Sequence, residues 1–419
     1  KFNDHHNIDR VERAFYQGTI SSAPAVENQP LNADLATLCI ESAQQLAASN
    51  QLATSELAIV VIEQNNQTFD LGEHFASCAS YSSLAQALPA VAKLVTADQA
   101  VVLLGVNQAA HTNTDDVQTI SFDQSFTGYQ QRGGIAGLLL ASKDFATNHN
   151  AYVYGVIKGF SCDDDIKLAT TAALTDAQIT VAQVSLLEVS ALSSSALATA
   201  EKQGLIAAYQ GDQQLHTAIS CARGVLGEGA GFSQVAGLLK AVISLQQRYI
   251  PALAHWQQPI DGQLTAWQDS AFYFPVDARP WFPHQDGSAH VAAYSCQTAD
   301  DYCHLIIQEH KVEVAGDAHP LADVRPNGYF AASELALVLV SGDSEAQLQQ
   351  QLSELAISEL TLKEQASQCF SRFSHNSQYA ISLIAESTDD LAKEISLAQA
   401  GISKALIDNS EWKTPKGSY

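Results

Sequence analysis

The 419-residue chain contains no methionine, not even at its first position, which is expected of a piece excised from a larger protein. Charge is scarce as well: Asp, Glu, Lys and Arg make up 16%, against ~25% in ordinary soluble domains. Basic residues are the scarcest, 21 against 45 acidic ones, for a formal net charge of −24. Nucleic acid is therefore not an expected partner, because phosphate binding is driven by Lys and Arg. Long apolar runs are missing too. The longest, Leu57–Ile62 and Leu335–Val340, fall far short of the ~20 residues that cross a bilayer. No secretory leader pattern opens the chain, so the cytoplasm is the expected compartment and no membrane partner is expected. The seven cysteines (39, 78, 162, 221, 296, 303 and 369) are odd in number and have no CxxC spacing. That is the usage of reduced, mostly buried thiols, not of a disulfide framework or a metal site.

What is present is an alternation of short apolar runs with helical patterns. Helices are expected at Asp34–Ser49, Ser82–Leu94, Asp176–Gln183, Ser195–Tyr209 and Ser233–Gln247. Strands are expected at Leu57–Ile62, Ala100–Val106, Ile135–Ala141, Ala151–Ile157, Val184–Val189, Thr217–Cys221, Val291–Tyr294 and His304–Gln308. Such alternation argues an α/β core with helices covering the sheets. Beyond Lys311 the texture changes to a strand at Leu335–Val340, a helix at Ser344–Leu355, a strand at Tyr379–Ala385 and a helix at Thr388–Ala400. The polar end, Asn409–Tyr419, reads as a linker. The run Asp163-Asp164-Asp165 reads as a solvated loop, and His304 as a structural histidine.

The stretch Gly224–Leu245, GVLGEGAGFSQVAGLLKAVISL, resembles the β-ketoacyl synthase segment in which KSNIGH precedes a VAGLIKAVLAL helix. Asp98–Asn107, Gly133–Gly159, Leu187–Tyr209, Arg279–Phe282 and Val291–Glu309 resemble further family segments in the family's order. The resemblance implies a thiolase-like five-layer αβαβα sandwich over residues 1–312. A small α+β linker domain over 313–400 would follow, then a lead-out over 401–419 toward an acyltransferase.

That family uses a cysteine at a helix N-terminus, two histidines and a glycine-rich loop. By register these correspond here to Ser80, to Ser190 and Glu228, and to the glycine-free Gln297–Tyr302. A serine without a base is a poor nucleophile, and a carboxylate at Glu228 reverses the charge needed beside a developing anion. No catalytic residue for condensation is therefore expected, with Cys78 as a fallback nucleophile should the register slip by two.

The C-terminal pattern and the tail Glu411–Tyr419 (EWKTPKGSY) resemble the linker of the acyltransferase-bearing component of bacterial polyunsaturated fatty acid synthases. The resemblance implies a non-condensing, chain-length-factor-like partner domain of a polyunsaturated fatty acid or polyketide synthase. Two alternatives stay open: residual acyl-transferase or thioesterase chemistry at Ser80 or Cys78, and a pure scaffold with a filled tunnel. A homodimer, or a pseudo-heterodimer with an active ketosynthase, would form through the edge strand near Phe69–Ser77. No bound cofactor or metal is expected. The phosphopantetheine of an acyl carrier protein could visit, docking on a local basic cluster such as Arg10, Arg13 or Lys240.

Overall fold

A computed structural model describes residues 14–16, 35–49, 52–63, 74–107, 119–149, 151–211, 214–253, 255–260, 263–282, 287–310, 335–357, 360–374, 376–408 and 410–419. Arg10, Arg13 and most of the expected edge Phe69–Ser77 lie outside them. The chain divides into two units, Lys1–Lys311 and Val312–Tyr419.

In the first unit the order is α1 (Leu35–Ser49), β1 (Ala58–Ile62), β2 (Ser77–Tyr81), α2 (Leu84–Thr96), β3 (Val101–Asn107), β4 (Gly134–Leu140), α3 (Lys143–Asn148), β5 (Val156–Cys162) and α4 (Ile166–Ala177). Then come β6 (Val184–Glu188), α5 (Ser195–Ala208), β7 (Thr217–Ser220), α6 (Arg223–Leu226), α7 (Ala230–Gln247), β8 (Tyr249–Ile250), α8 (Leu264–Gln268), β9 (Phe272–Tyr273), β10 (Arg279–Pro280), β11 (Val291–Gln297) and β12 (Tyr302–Gln308).

Two sheets carry the unit, β2-β1-β3-β4 and β5-β12-β11-β6-β7-β9. They share one plan. β1 runs parallel to β2 and β3, and β4 returns antiparallel to β3; β6 runs parallel to β7 and β11, and β12 returns antiparallel to β11. β1 shows why its sequence is wholly apolar. Ala58, Val60 and Ile62 face one core while Ile59 and Val61 face another, so both alternating faces are covered.

Helices α2 and α7 occupy the space between the sheets, α7 packing on β3 and β4 from one side and on β6 and β11 from the other. Helix α1 covers the outer face of the first sheet, and α4 with α5 the outer face of the second. The result is five layers, αβαβα, of the thiolase-like kind. Glycines allow the middle layer to close. A Cβ on Gly231 would lie 2.0 Å from the Ile62 carbonyl oxygen, and one on Gly105 would lie 2.2 Å from that of Gly231. Backbone therefore meets backbone where α7 begins.

Two expected elements are corrected. The helix expected at Asp176–Gln183 is instead α4, which starts where Asp165 accepts the Leu168 N–H at 3.0 Å and ends with Gln178 in the left-handed region at φ 56°. The acidic run is thus partly a helix cap. The strand expected at Ala151–Ile157 begins only at Val156 and runs through Lys158 and Gly159 to Cys162; as an edge strand it tolerates that polar content.

The second unit pairs β13 (Ala336–Gly342) antiparallel with β14 (Tyr379–Ala385) and carries α9 (Glu345–Ala356), α10 (Leu362–Arg372) and α11 (Thr388–Ile407). Val338, Val340, Leu348, Leu352, Leu383 and Ile395 form its core. The stretch expected as a linker is folded onto this unit. Tyr419 exchanges two backbone hydrogen bonds with Ser382, at 2.6 and 2.8 Å, and the buried Ser418 Oγ accepts from the Ile384 N–H at 3.0 Å.

Candidate functional site

Ser80, expected at the nucleophile position, lies at the end of β2, which among the described residues is the edge strand of its sheet and pairs with β1. Ser80 is exposed there and Cys78 is half-buried. Helix α2 follows, but its N-terminus is already occupied. Ser83 caps it, its Oγ accepting from the Gln86 N–H at 3.2 Å, and the Leu84 N–H donates to Gln234 Oε1 at 2.8 Å. Asp301, from the hairpin between β11 and β12, brings its carboxylate to the same place: Ser83 Oγ and Gln86 Nε2 both donate to Oδ2 at 2.9 Å. The positive end of this helix therefore faces a carboxylate from its own fold.

Ser190 follows β6 and is wholly buried. Its Oγ accepts from the Gln297 N–H at 2.7 Å and donates to the Ser295 carbonyl at 3.1 Å. Its backbone N–H and that of Ala191 donate to the two Glu201 carboxylate oxygens at 2.9 and 2.7 Å, and Ser295 Oγ donates to Glu201 Oε1 at 2.6 Å. Burial raises the Glu201 pKa, against the lowering effect of those three donors. The hydroxyl is thus used in holding the turn in place, with its proton committed to a carbonyl.

Glu228 follows a tight turn at Gly227, φ 84°, where a Cβ would lie 2.5 Å from the Gln130 carbonyl oxygen. Its N–H donates to the Gln130 carbonyl, and its own carbonyl accepts from the Arg132 N–H, both at 2.8 Å. The carboxylate takes the Arg223 Nε–H at 2.7 Å, while Arg223 Nη1 donates to the Ser190 carbonyl at 2.9 Å. Burial pulls the Arg223 pKa down most strongly, but Glu228, with Tyr294, Cys221 and Cys296 adding to it, brings the net shift upward and the guanidinium stays charged. Ser190 and Glu228 are therefore joined through one arginine. The exposed Ser80 does not share a buried pocket with them.

Two nearby side chains are held in their neutral forms. Burial pushes the Cys221 thiol up to about 11. Burial likewise holds His304 neutral, at about 3, between the Tyr302, Thr170 and Tyr209 hydroxyls. An open cleft of about 400 Å³ is lined by Ser121, Asp123, Gln124, Phe126, Ser193, Ser195 and Ile260. It lies beside the same turn, for Tyr129 accepts from the Ser121 N–H and donates to the Ala191 carbonyl. Asp123 in its lining is engaged by the Ser125 N–H and hydroxyl and by the Gln257 N–H.

Lys240 is not a docking residue. It is fully buried in α7, with its ammonium 3.7 Å from the equally buried Glu188. Three residues that organise the site, Arg223, Glu201 and Asp301, carry no catalytic signature in sequence. Glu201 and Asp301 are visible there only as members of segments resembling the family.

The model of the β-ketoacyl synthase C-terminal domain matches residues 144–257, which include Ser190, Arg223 and Glu228. No curated protein matches the chain. Solved structures similar to it include the oxazolomycin ketosynthase domain OzmH KS8 of Streptomyces albus, at 20% identity and TM-score 0.61, covering 74% of this chain and 93% of that one. The OzmH KS7 domain is 16% identical at TM-score 0.56, covering 88% and 73%. The module 6 ketosynthase of the Bacillus subtilis bacillaene synthase is 15% identical at TM-score 0.57, covering 91% and 78%. The chain thus has the thiolase-like fold of these solved ketosynthase structures, and its residues 144–257 match the model of the β-ketoacyl synthase C-terminal domain.

Proposed function

We propose that the first unit is a non-condensing, chain-length-factor-like partner domain of a polyketide or polyunsaturated fatty acid synthase. The observation that carries this reading is the Ser190–Arg223–Glu228 chain. Ser190 and Glu228, which the resemblance sets at the family's histidine positions, are held in backbone hydrogen bonds and in an ion pair with the buried Arg223. Neither side chain offers a hydrogen-bond donor to a developing enolate, because the Ser190 proton goes to a carbonyl and Glu228 is an acceptor paired with Arg223. Among the described residues no base is hydrogen-bonded to the exposed Ser80, and Asp301 at the start of α2 opposes the formation of an anion there.

On this reading the unit acts by association, as a homodimer or with an active ketosynthase, through the open side of β2. The phosphopantetheine arm of a docked carrier protein would occupy the cleft beside Ser193 and Ser195, where the buried Ser121 hydroxyl has no hydrogen-bond partner among the described residues. The tail following α11 supports a placement ahead of an acyltransferase, in keeping with its likeness to the lead-out of polyunsaturated fatty acid synthases.

The test is acyl loading. The purified chain is incubated with acyl-CoA and malonyl-CoA, intact mass is measured, and carbon dioxide release is followed. No covalent adduct and no decarboxylation are expected, together with co-purification of a catalytically complete synthase or self-association. An acyl adduct on Ser80 or Cys78 would overturn the reading in favour of residual transferase or thioesterase chemistry.

A further inference from the structure

Three of the cysteines stand in a row across the second sheet. Cys162 on β5 is directly opposite Cys303 on β12, and Cys303 is directly opposite Cys296 on β11. Directly opposed residues of antiparallel strands project to the same face, which sets the Cys303 side chain between those of its two neighbours. A shared metal ion does not suit this layout. The outer two cysteines are two strand spacings apart, ~10 Å, whereas thiolates on one zinc ion sit ~2.3 Å from it. Among the described residues, no group of three or more His, Cys, Asp or Glu could hold a metal ion.

The two neighbouring pairs are not equivalent. The Asp163 N–H donates to the Tyr302 carbonyl at 3.3 Å, which makes Asp163 and Tyr302 a hydrogen-bonded pair. Cys162 and Cys303, one step along, are then a non-hydrogen-bonded pair, the kind with the closer approach of ~4.5 Å between Cα atoms. On the other side the Thr298 N–H donates to the Asp301 carbonyl at 2.8 Å. Two steps along, Cys296 and Cys303 are a hydrogen-bonded pair at the wider ~5.5 Å. Exposure separates them further: Cys162 is partly exposed, whereas Cys296 and Cys303 are buried.

We propose that Cys162 and Cys303 form an oxidative modification site that accepts small-molecule disulfides of the glutathione class. The Cys162 thiolate attacks one sulfur of the disulfide, forming a mixed disulfide and releasing one thiolate, which takes up the Cys162 proton. Cys303 then attacks the Cys162 sulfur. The second small-molecule thiolate departs and takes up the Cys303 proton, leaving one intramolecular disulfide and two reduced small thiols. The neighbouring Cys303 lowers the Cys162 pKa, which favours the first attack by Cys162, while burial raises the Cys303 thiol and makes the second attack the slower step. The resulting bond ties β5 to β12 beside the hairpin that carries Asp301 to α2.

The test uses the native full chain with glutathione disulfide, followed by alkylation of the remaining thiols and peptide mapping without reduction. Cys162 and Cys303 are expected to disappear together from the alkylated pool and to reappear as one linked peptide pair. The Cys303→Ala variant is expected to accumulate glutathione stably on Cys162. Loss of Cys162 alone in the wild-type chain, with Cys303 still alkylated, would overturn the proposal, as would dominance of a Cys296–Cys303 link. The wild-type map decides the matter even if the variant fails to fold.

Discussion

Arg223 and Glu228 meet at 2.7 Å, with the guanidinium buried and the carboxylate 19% exposed. Removing one partner of such a pair leaves the other charge without compensation in a medium that solvates it poorly. Glu228→Gln is expected to lower the stability of the first unit by about 3 kcal/mol, read by urea denaturation. Arg223→Met combined with Glu228→Gln should cost less than Glu228→Gln alone. Equal losses in the two variants would show that the charge pairing is not what holds this turn.

The fully buried Lys240–Glu188 pair gives a second test. The amine lies 3.7 Å from Glu188 Oε2 and 5.8 Å from the centre of the Phe15 ring. Burial raises the Glu188 pKa, with Lys240 opposing it. Lys240→Met removes that opposition, so Glu188 should take up a proton on folding and the variant should regain stability as the pH falls. A double-mutant cycle with Glu188→Gln should return a coupling on the order of 1–3 kcal/mol. A pH-independent loss in Lys240→Met would count against the ionised pair.

Acid stability should depend on Glu309. Burial alone would raise its carboxyl, but hydrogen bonds from His290 and Arg248 outweigh burial and hold it down to about 2. A carboxyl depressed on folding contributes stability above its unfolded value, ~4.3, and loses it as the pH falls toward 2. Glu309→Gln should therefore destabilise the protein at neutral pH and flatten the thermal-melting profile between pH 4.5 and 2. An unchanged acid limb would refute this assignment.

Gly231→Ala should be among the most damaging single-methyl additions, because its Cβ would sit 2.0 Å from backbone, not from a side chain that can swing away. A loss of about 3 kcal/mol or of soluble expression is expected. A near-neutral melting temperature would mean that α7 can lift from β1 and β3.

Much of the architecture is readable where local pattern and burial agree. β1 is apolar throughout because both its faces are covered, and α7 has apolar Val235, Leu238 and Ile243 at helical spacing. α4 escapes because Ala and Thr dominate its body, leaving little apolar stripe; its signal is the Asp165 cap. α10, LKEQASQCFSR, has only Leu362, Ala366, Cys369 and Phe370 as apolar positions, at helical spacing but within a largely polar segment, so its signal is weak. At the site, resemblance locates Ser190 and Glu228, yet not their bonding to Arg223. Lys240 misleads because lysine ordinarily keeps its ammonium in water, and its partner Glu188 lies on a separate strand. Cys162 and Cys303 cannot be matched from sequence, because only the antiparallel pairing of β5 with β12 brings them face to face.

The last residues set a practical limit on where this protein can be truncated. Tyr419 extends the small sheet beyond β14, and Trp412 lies against Gly401, where a methyl group would come within 2.3 Å of the indole. Ending a recombinant version at Asp408 would strip the outer hydrogen-bonding edge of β14 and bare apolar surface on α11. Such a shortened protein should pair edge to edge and precipitate. Boundaries drawn from homology alone, at the close of the last helix, would sacrifice the strand-like segment that covers this edge of β14.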